Sequence, residues 1–392
     1  MYHYDSRKVK DGDTFICLPG GELYVEEAMS RGAVAVKKMD RKEMALLARD
    51  VYGRASEKMT VIGVTGTNGK TTTTHLIHQG LKTAGYQPYI LGTLNAGLTT
   101  PESLDINRAM AAHLDAGGTH FVMEVSSHAI VQHRVAEIDF DIKLLTNITQ
   151  DHLDYHGTLE AYKRVKMAFM SSPCRHVVFP ETFAKENLGF THGLQGRFNL
   201  ENMKAAVSVL RLCGVLDAVI SEGMGRAIPP PGRFEVIDEG QPYMVIVDYA
   251  HTPDGLENIL AEARYIADRH QARDLALFGC GGERDRDKRP KMGRVVSELS
   301  DESVVTTDNP RGESVAQIMT DILSGMAGGN FSVIEDRKRA ISHILSLAKE
   351  NDVVVLAGKG HETEQVLASG PIQLDDRSEA RRAIQKLQGE RP

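Results

Sequence analysis

Residues 61–77, VIGVTGTNGKTTTTHLI, bring together the residue types that hold a polyphosphate. Glycine tolerates backbone dihedrals that other residues avoid, so the stretch from Gly66 to Gly69 can turn successive N–H groups toward one anion. Lys70 then offers a cation to the outer phosphates, and Thr71 offers a hydroxyl to a magnesium ion. The helix expected from Lys70 onward adds partial positive charge at its first turn. The spacing is G-x-x-G-K-T, shorter than the common G-x-x-x-x-G-K-[ST], yet strand, glycine turn and helix follow in the order this chemistry needs. The pattern predicts ATP or GTP binding; a glycine-rich turn that binds nothing is the plainer alternative.

Other residues could extend that chemistry. Glu124 closes the apolar run FVMEV, and a carboxylate at a strand end suits Mg2+, which prefers oxygen ligands shared with substrate phosphates. A solvated strand-end acid is the alternative. DHLDYH (151–156) packs two Asp and two His into six residues, dense enough for a metal or substrate site, or else for a helix-capping turn. Lys166, in KRVKMAF, reads by itself as a solvated surface lysine, because lysine is seldom buried without a partner. Arg233, Asp248 and His251 flank the start of a final domain. The arginine could meet phosphates and the aspartate ribose hydroxyls, although each also reads as an ordinary structural polar group. DNPR (308–311) and GKGHE (358–362) are charged, glycine- or proline-containing loops. Together they could read a zwitterion, with Arg311 for its carboxylate and Glu362 for its ammonium.

These residues need strands and helices behind them. From residue 58 to about 230, apolar strands alternate with amphipathic segments: TVIGVT, a helix from Lys70, PYILGTL, a helix from Glu102, HFVMEV, DIKLLTNI and a helix through TLEAYKRVKMAFM. Such alternation marks βαβ units and a parallel sheet. The pattern weakens between Phe169 and Gln195, where only HVVF stands out, and a further helix, NLENMKAAVSVLRLCG, stops at Gly214. Consecutive prolines in PPPGRF stiffen a joint. Beyond it YMVIVDYA, DLALFGC, SVVTTD and VVVLAG alternate with helices from Pro253, near Met292 and from Ser314. That is a doubly wound pattern, with ligands expected past the strand ends, where CGGERD, DNPRGE and GKGHE lie. Ahead of all this, residues 1–57 hold one strand, TFICL, and two helices, EEAMSRG and RKEMALLARDVYGRA. The predicted division is a small α/β region at 1–57, a central P-loop parallel-sheet domain at 58–230 and a Rossmann-like domain at 231–392.

A chain of 392 residues fits two or three domains, and 41% hydrophobic with 25% charged residues is a globular composition. A net charge of -7 argues against nucleic acid as partner. Cys17, Cys174, Cys213 and Cys280 show no metal-ligand spacing. The start lacks the apolar core of a signal peptide, and no run approaches the ~18 apolar residues of a membrane span. A cytoplasmic enzyme is expected.

GVTGTNGKTTTTHLI, TTPESLD, MEVSSHAIVQHRV, TNITQDHLDYHGTLEAYKRVK, GRFNLEN, PGRFEVI, VDYAHTPD, CGGERDRDKRP, DNPR and GKGHE follow one another in that order over most of the chain. In this the chain closely resembles the Mur ligases, and within them the branch that adds the third residue of the peptidoglycan stem peptide. The resemblance implies three domains, for UDP-substrate, ATP and amino acid. It assigns Gly66, Thr67, Asn68, Gly69, Lys70, Thr71 and Thr72 to the nucleotide phosphates, and Asn199, Asn202, Arg233, Asp248 and His251 to the rest of the nucleotide. Thr71, Glu124, His152 and Lys166 become the residues around two Mg2+ ions, with Lys166 carrying a CO2-derived carbamate that turns a cation into an anion. Lys70, Glu124, His152 and Lys166 form the implied catalytic set. Thr99, Thr100, Ser126, Gln132 and Arg134 match positions that hold the muramoyl-dipeptide, and Asp5, Ser6 and Arg7 match the uridine-end motif. DNPR resembles the form that takes meso-diaminopimelate, so Arg284, Asp308, Asn309, Arg311, Gly358 and Glu362 would contact that diamino acid.

The implied reaction is ATP-dependent amide formation through an acyl phosphate, by a monomer acting on UDP-N-acetylmuramoyl-L-alanyl-D-glutamate. Residues 1–57 and the stretch 170–197 are shorter than in the usual family member, and GES after DNPR departs from the usual acidic, proline-containing continuation. A compact ligase of the same type acting on a different carboxylate is therefore the second reading. A P-loop regulator without catalysis is the third, disfavoured by the joint presence of Glu124, His152, Lys166 and Arg233.

Overall fold

The computed structural model describes residues 1–328 and 330–389. The chain folds as two compact units: residues 1–148, 160–193 and 201–227 form the first, and residues 149–159, 194–200 and 228 onward form the second. Residues 1–57 thus pack within the same unit as the glycine-rich loop.

The first unit opens with a three-stranded parallel sheet, β1 (Tyr2–His3), β2 (Thr14–Cys17) and β3 (Ala35–Lys38), in that order. Two of these strands escape a reading of the sequence. β1 has only two residues, and AVKK places no apolar run on its exposed edge. The helix Arg41–Val51 starts on a capping box, in which Asp40 accepts from the Glu43 N–H and Glu43 accepts from the Asp40 N–H, both at 2.8 Å. Its Met44 and Ala48 pack with Ile16 and Leu104, tying this small sheet to the helix Ser103–Asp115.

The central sheet contains β4 (Thr60–Thr65), β5 (Pro88–Leu91), β6 (His120–Glu124), β7 (Ile142–Leu145) and β8 (His176–Val178), all parallel, in the order β5-β6-β4-β7-β8. β4 is the middle strand because TVIGVT is apolar on both faces; Val61, Ile62 and Val64 are wholly buried. Each such side chain contributes about 1.5–3 kcal/mol by leaving water. The chain runs outward from β4 in both directions, so its carboxyl end is the switch point of the sheet.

In the second unit β9 (Glu235–Ile237), β10 (Met244–Asp248), β11 (Asp274–Phe278), β12 (Glu302–Val305), β13 (Asn330–Val333) and β14 (Val353–Ala357) form a sheet in the order β13-β12-β11-β14-β10-β9. Only β9, on the edge, runs antiparallel to its neighbour within this sheet. Strand alternation divides the apolar residues between two cores. Ile246, Ala276, Phe278 and Val355 pack against the helices Pro253–Asp268 and Lys288–Leu299. Val245, Val247, Leu275, Leu277, Val354 and Leu356 pack against Arg337–Leu347 and Asp376–Gly389. Those last two helices, β9, β13 and the hairpin β15 (Glu364–Leu367) with β16 (Gly370–Gln373) are additions to the sequence reading. The strands among them are short and lie at a sheet edge or in the separate hairpin, and in all of these elements the apolar residues make no continuous run.

Candidate active site

In the first unit the loop after β4 is shaped by two glycines. Gly66 has φ +151° and Gly69 +82°; a Cβ on Gly66 would stand 1.8 Å from Thr146 Oγ1, and one on Gly69 2.3 Å from Asn202 Oδ1. Both positions exclude a side chain. The helix Lys70–Thr83 begins immediately after. Lys70 Nζ donates to the carbonyls of Gly66 and Thr67, each at 2.9 Å. Thr67 Oγ1 lies 3.0 Å from the Tyr162 hydroxyl, the Asn68 N–H donates to Asn147 Oδ1 at 2.9 Å, and Thr72 is buried.

Thr71 Oγ1 donates to Glu124 Oε2 at 3.0 Å, and the Thr93 N–H to Glu124 Oε1 at 2.9 Å. Glu124, 2% exposed, is therefore a held and oriented carboxylate rather than a solvated strand-end acid. Its oxygens and the Thr71 hydroxyl are hard donors converging at the mouth of the loop, a donor set that fits Mg2+. Among the described residues no three His, Cys, Asp or Glu side chains cluster as a metal site by themselves.

Lys166 corrects the expectation of a surface lysine. It is 1% exposed on the helix Leu159–Ser171, with Nζ donating to Gly66 O at 2.9 Å and lying 4.8 Å above the Tyr162 ring. The Gly66 carbonyl thus accepts from both Lys70 and Lys166.

Thr99 and Thr100 follow in the same unit. Thr99 Oγ1 is 3.1 Å from Thr93 Oγ1, and Thr100 Oγ1 donates to Glu124 O at 2.8 Å and accepts from the Ser126 N–H at 3.0 Å. Ser126 caps the short helix Ser127–Val131. Arg134 donates to Thr100 O at 2.8 Å and Gln132 Oε1 at 2.7 Å, and pairs with the buried Glu102 at 3.2 Å. Asn202 Oδ1 accepts from Thr73 Oγ1 at 3.3 Å. At the N-terminal sheet, Asp5 and Arg7 make a two-bond pair at 2.9 Å each, and the Ser6 hydroxyl donates to Glu27 at 2.7 Å.

The second unit holds the remaining residues. His152, with φ +53°, has Nε2 3.3 Å from Asp151 Oδ2. Asn199 donates to Gln195 O at 2.7 Å. Arg233 stacks over Tyr249 at 4.5 Å. Both Asp248 oxygens accept backbone N–H groups, from Phe234 at 2.7 Å and Ala250 at 2.8 Å, so this carboxylate first of all secures the joint onto β10. Burial pushes its carboxyl up, with Arg233 opposing. His251 Nδ1 lies 2.8 Å from Tyr249 O; burial, then the Lys288 charge, pushes its imidazole down to about 4, so it is neutral at pH 7.

The loops after β12 and β14 meet at a polar cluster. Asn309 Nδ2 donates to Glu362 Oε2 at 2.8 Å, the Arg311 N–H donates to Val366 O at 2.9 Å, and Arg311 Nη1 donates to Gly282 O at 2.8 Å. Asp308 is buried, with Oδ1 lacking a hydrogen-bond partner among the described residues and Oδ2 facing Gly358. Burial raises its carboxyl, and Arg337 and Lys359 oppose. Arg284 donates to Glu283 O at 3.2 Å.

Sequence reasoning overlooked several residues here. Thr93 holds Glu124 because β5 pairs with β6 in a register that sets Leu91 beside Met123. Tyr162 lies one helical turn before Lys166 and covers it. Lys143 is buried within β7 and donates to Phe169 O at 3.1 Å, Ser172 O at 2.9 Å and Pro173 O at 3.2 Å, closing the end of the helix that carries Lys166. A lysine in the middle of the apolar run DIKLL was the available signal.

Two family models match the chain: the Mur ligase middle domain over residues 64–179, and the Mur ligase glutamate ligase domain over residues 232–360. The UDP-N-acetylmuramoyl-L-alanyl-D-glutamate--2,6-diaminopimelate ligase of Syntrophomonas wolfei is 39% identical, covering 96% of this chain and 93% of its own. The protein of the same name from Geobacillus thermodenitrificans is 37% identical, covering 97% and 94%. The alignment with the former runs over 456 positions, more than the 392 residues here, so that relative carries segments this chain lacks. A solved structure of a UDP-N-acetylmuramoyl-L-alanyl-D-glutamate--2,6-diaminopimelate ligase superposes with TM-score 0.61 at 28% identity, over 99% of this chain and 95% of that one. The MurF ligase of Thermotoga maritima in complex with ADP shares the fold, with TM-score 0.69 at 18% identity over 100% and 98%. With the glycine-shaped loop, the buried Lys166 and the doubly wound second unit in place, these likenesses over nearly the whole chain establish that it belongs to the Mur ligase family.

Proposed function

We propose that this protein is an ATP-dependent ligase that joins meso-diaminopimelate to UDP-N-acetylmuramoyl-L-alanyl-D-glutamate, a step of peptidoglycan precursor synthesis. The observation that carries this reading is the 39% identity, over nearly both full lengths, to a ligase of that name. The acceptor carboxylate attacks the γ-phosphate to give an acyl phosphate and ADP. The neutral amine of the amino acid then displaces phosphate and leaves an amide.

The work divides as follows. Residues 1–57 take the UDP end of the acceptor through Asp5, Ser6 and Arg7; residues 58–230 take ATP; residues 231–392 take the amino acid. Lys70 leaves the Gly66 and Thr67 carbonyls to meet the outer phosphates. Thr71 and Glu124 would hold magnesium, which neutralises phosphate charge when bound. His152 and Lys166 would complete the surroundings of a second ion, Lys166 as a carbamate. The burial of Lys166 beside the glycine loop, with its Nζ on the Gly66 carbonyl at 2.9 Å, supports that assignment. Thr99, Thr100, Ser126, Gln132 and Arg134 would position the acceptor, and Asn199, Asn202, Arg233, Asp248 and His251 the nucleotide. Arg284, Asp308, Asn309, Arg311, Gly358 and Glu362 would receive the diamino acid, as a monomeric enzyme of the cytoplasm. No helix among the described residues is long and apolar enough to cross a membrane.

One observation favours a second reading, a compact ligase acting on another carboxylate. The N-terminal sheet has three short strands, with Asp5 and Arg7 engaged with each other and Ser6 with Glu27. Phosphate release from ATP separates the two. The first reading requires turnover only with UDP-muramoyl-dipeptide and diaminopimelate together. Equal turnover with an acceptor lacking UDP would support the second, and no ADP from any pair would refute both.

A further inference from the structure

Lys359, in the loop after β14, is fully buried, and its ammonium has three acceptors: Glu364 O at 2.7 Å, Glu362 Oε2 at 2.8 Å and Asn309 Oδ1 at 3.2 Å. An ammonium has three N–H donors, so none is left for a ligand. The acceptors belong to the loop itself, to the first residue of β15 and to the loop after β12. A cation stripped of water is tolerated only when so fully coordinated, and it therefore pins all three segments to one point.

Glu362 is the segment with consequences. Its Oε2 accepts from Lys359 Nζ and Asn309 Nδ2, both at 2.8 Å, whereas its Oε1 has no hydrogen-bond partner among the described residues. The side chain keeps 29% of its surface open. One oxygen is clamped and the other is presented.

We propose that Lys359 is a positioning residue for the amino-acid substrate: by clamping Glu362 Oε2 and the Asn309 side chain, it aims Glu362 Oε1 at the ammonium of the incoming diamino acid. This rests on the reading that the cluster receives that substrate. The charged and titratable groups around Glu362 are Lys359, His361, Tyr249, Asp308 and Arg337. Burial alone would raise the Glu362 carboxyl. The Lys359 charge, with the hydrogen bonds from Lys359 and Asn309, outweighs it and holds the group below the ordinary carboxylate range. Without Lys359 burial prevails, and the carboxyl rises.

The test uses the full chain with Lys359→Met and, as a less disruptive change, Lys359→Gln. The KM for the diamino acid should rise about 100-fold, as for a misaimed contact, with the KM values for ATP and acceptor nearly unchanged. The acid limb of kcat/KM for the amino acid should move to higher pH in both variants. Gln365→Ala, which removes bonds to Thr307 Oγ1 (2.8 Å) and Asp308 O (2.6 Å) but no charge, should lower thermal stability and leave that limb in place. Carbon-13 NMR of the Glu362 carboxyl, assigned by its loss in Glu362→Gln, needs no substrate and should show a higher midpoint without Lys359. An unmoved midpoint, or all three KM values rising together, would overturn the clamp. Wild-type turnover indifferent to diamino acids would instead remove the substrate reading, with the NMR titration still deciding the clamp.

Discussion

The two units build their polar sites from different materials. In the first, side chains lean mostly on backbone: Lys70 and Lys166 on the Gly66 carbonyl, Glu124 on the Thr93 N–H, Lys143 on the last carbonyls of a helix. In the second, the cluster formed by the loops after β12 and β14 also leans on side chains from distant segments, as in Asn309 with Glu362, Lys359 with Asn309, and the fully buried Arg289 with Glu313 at 2.8 Å. A site made of backbone is set by glycines and strand register, and its geometry survives most substitutions elsewhere. A site made of paired charges changes with any one partner. The first construction suits a ligand that never varies, such as a polyphosphate, and the second suits a substrate whose identity is selected.

That contrast can be broken or sharpened by mutation. The largest effect is expected from Lys166→Ala, with ligation falling about 100-fold or more and no recovery in excess bicarbonate. Wild-type rates in this variant would mean that the buried nitrogen only fills space. Next comes Lys143→Met, which strands carbonyls at the end of the Lys166 helix. It should cost roughly 1–3 kcal/mol in denaturant unfolding, while diamino-acid KM stays as it was. A change in that KM would blur the distinction between the units. In the second unit Arg311→Ala should raise the amino-acid KM about tenfold and the ATP KM much less. The opposite split would move the amino-acid pocket elsewhere.

The smallest effect concerns pH. Asp274 is wholly buried, neither carboxylate oxygen has a hydrogen-bond partner among the described residues, and burial pushes its carboxyl well above the usual range, with Arg264 opposing. A carboxyl raised on folding binds a proton more tightly in the folded state. Stability is therefore lost as pH rises from the unfolded value through the folded one. Asp274→Asn should stabilise the protein by about 1 kcal/mol near pH 8, with the gain vanishing near pH 4. A gain independent of pH would show that the ionisation is not the cause.

Much of this was legible beforehand where the signal is local. TVIGVT, GTNGKT and the helix behind them are contiguous, so apolar run, glycine turn and helix start could be read from neighbours. The alternating strands of the second unit announced a doubly wound sheet for the same reason. Lys166 was not legible from its own surroundings in the sequence. KRVKMAF looks like a solvated helix face, and it is Thr65, Gly66 and Tyr162 that enclose its amine. Thr93, Lys143 and Lys359 were missed because each acts on a partner brought close by strand register or loop packing.

Residue order by itself determined which apolar runs become the central strands, where the glycine loop turns and which chemistry its lysine and threonine can perform, because those depend on dihedral preference and periodicity over a few positions. Only the tertiary structure decided which lysines lose their water, which carboxylate oxygens are clamped and which are left open. Desolvation and hydrogen-bond partnership depend on segments far apart in the chain, and they exist only once those segments have packed.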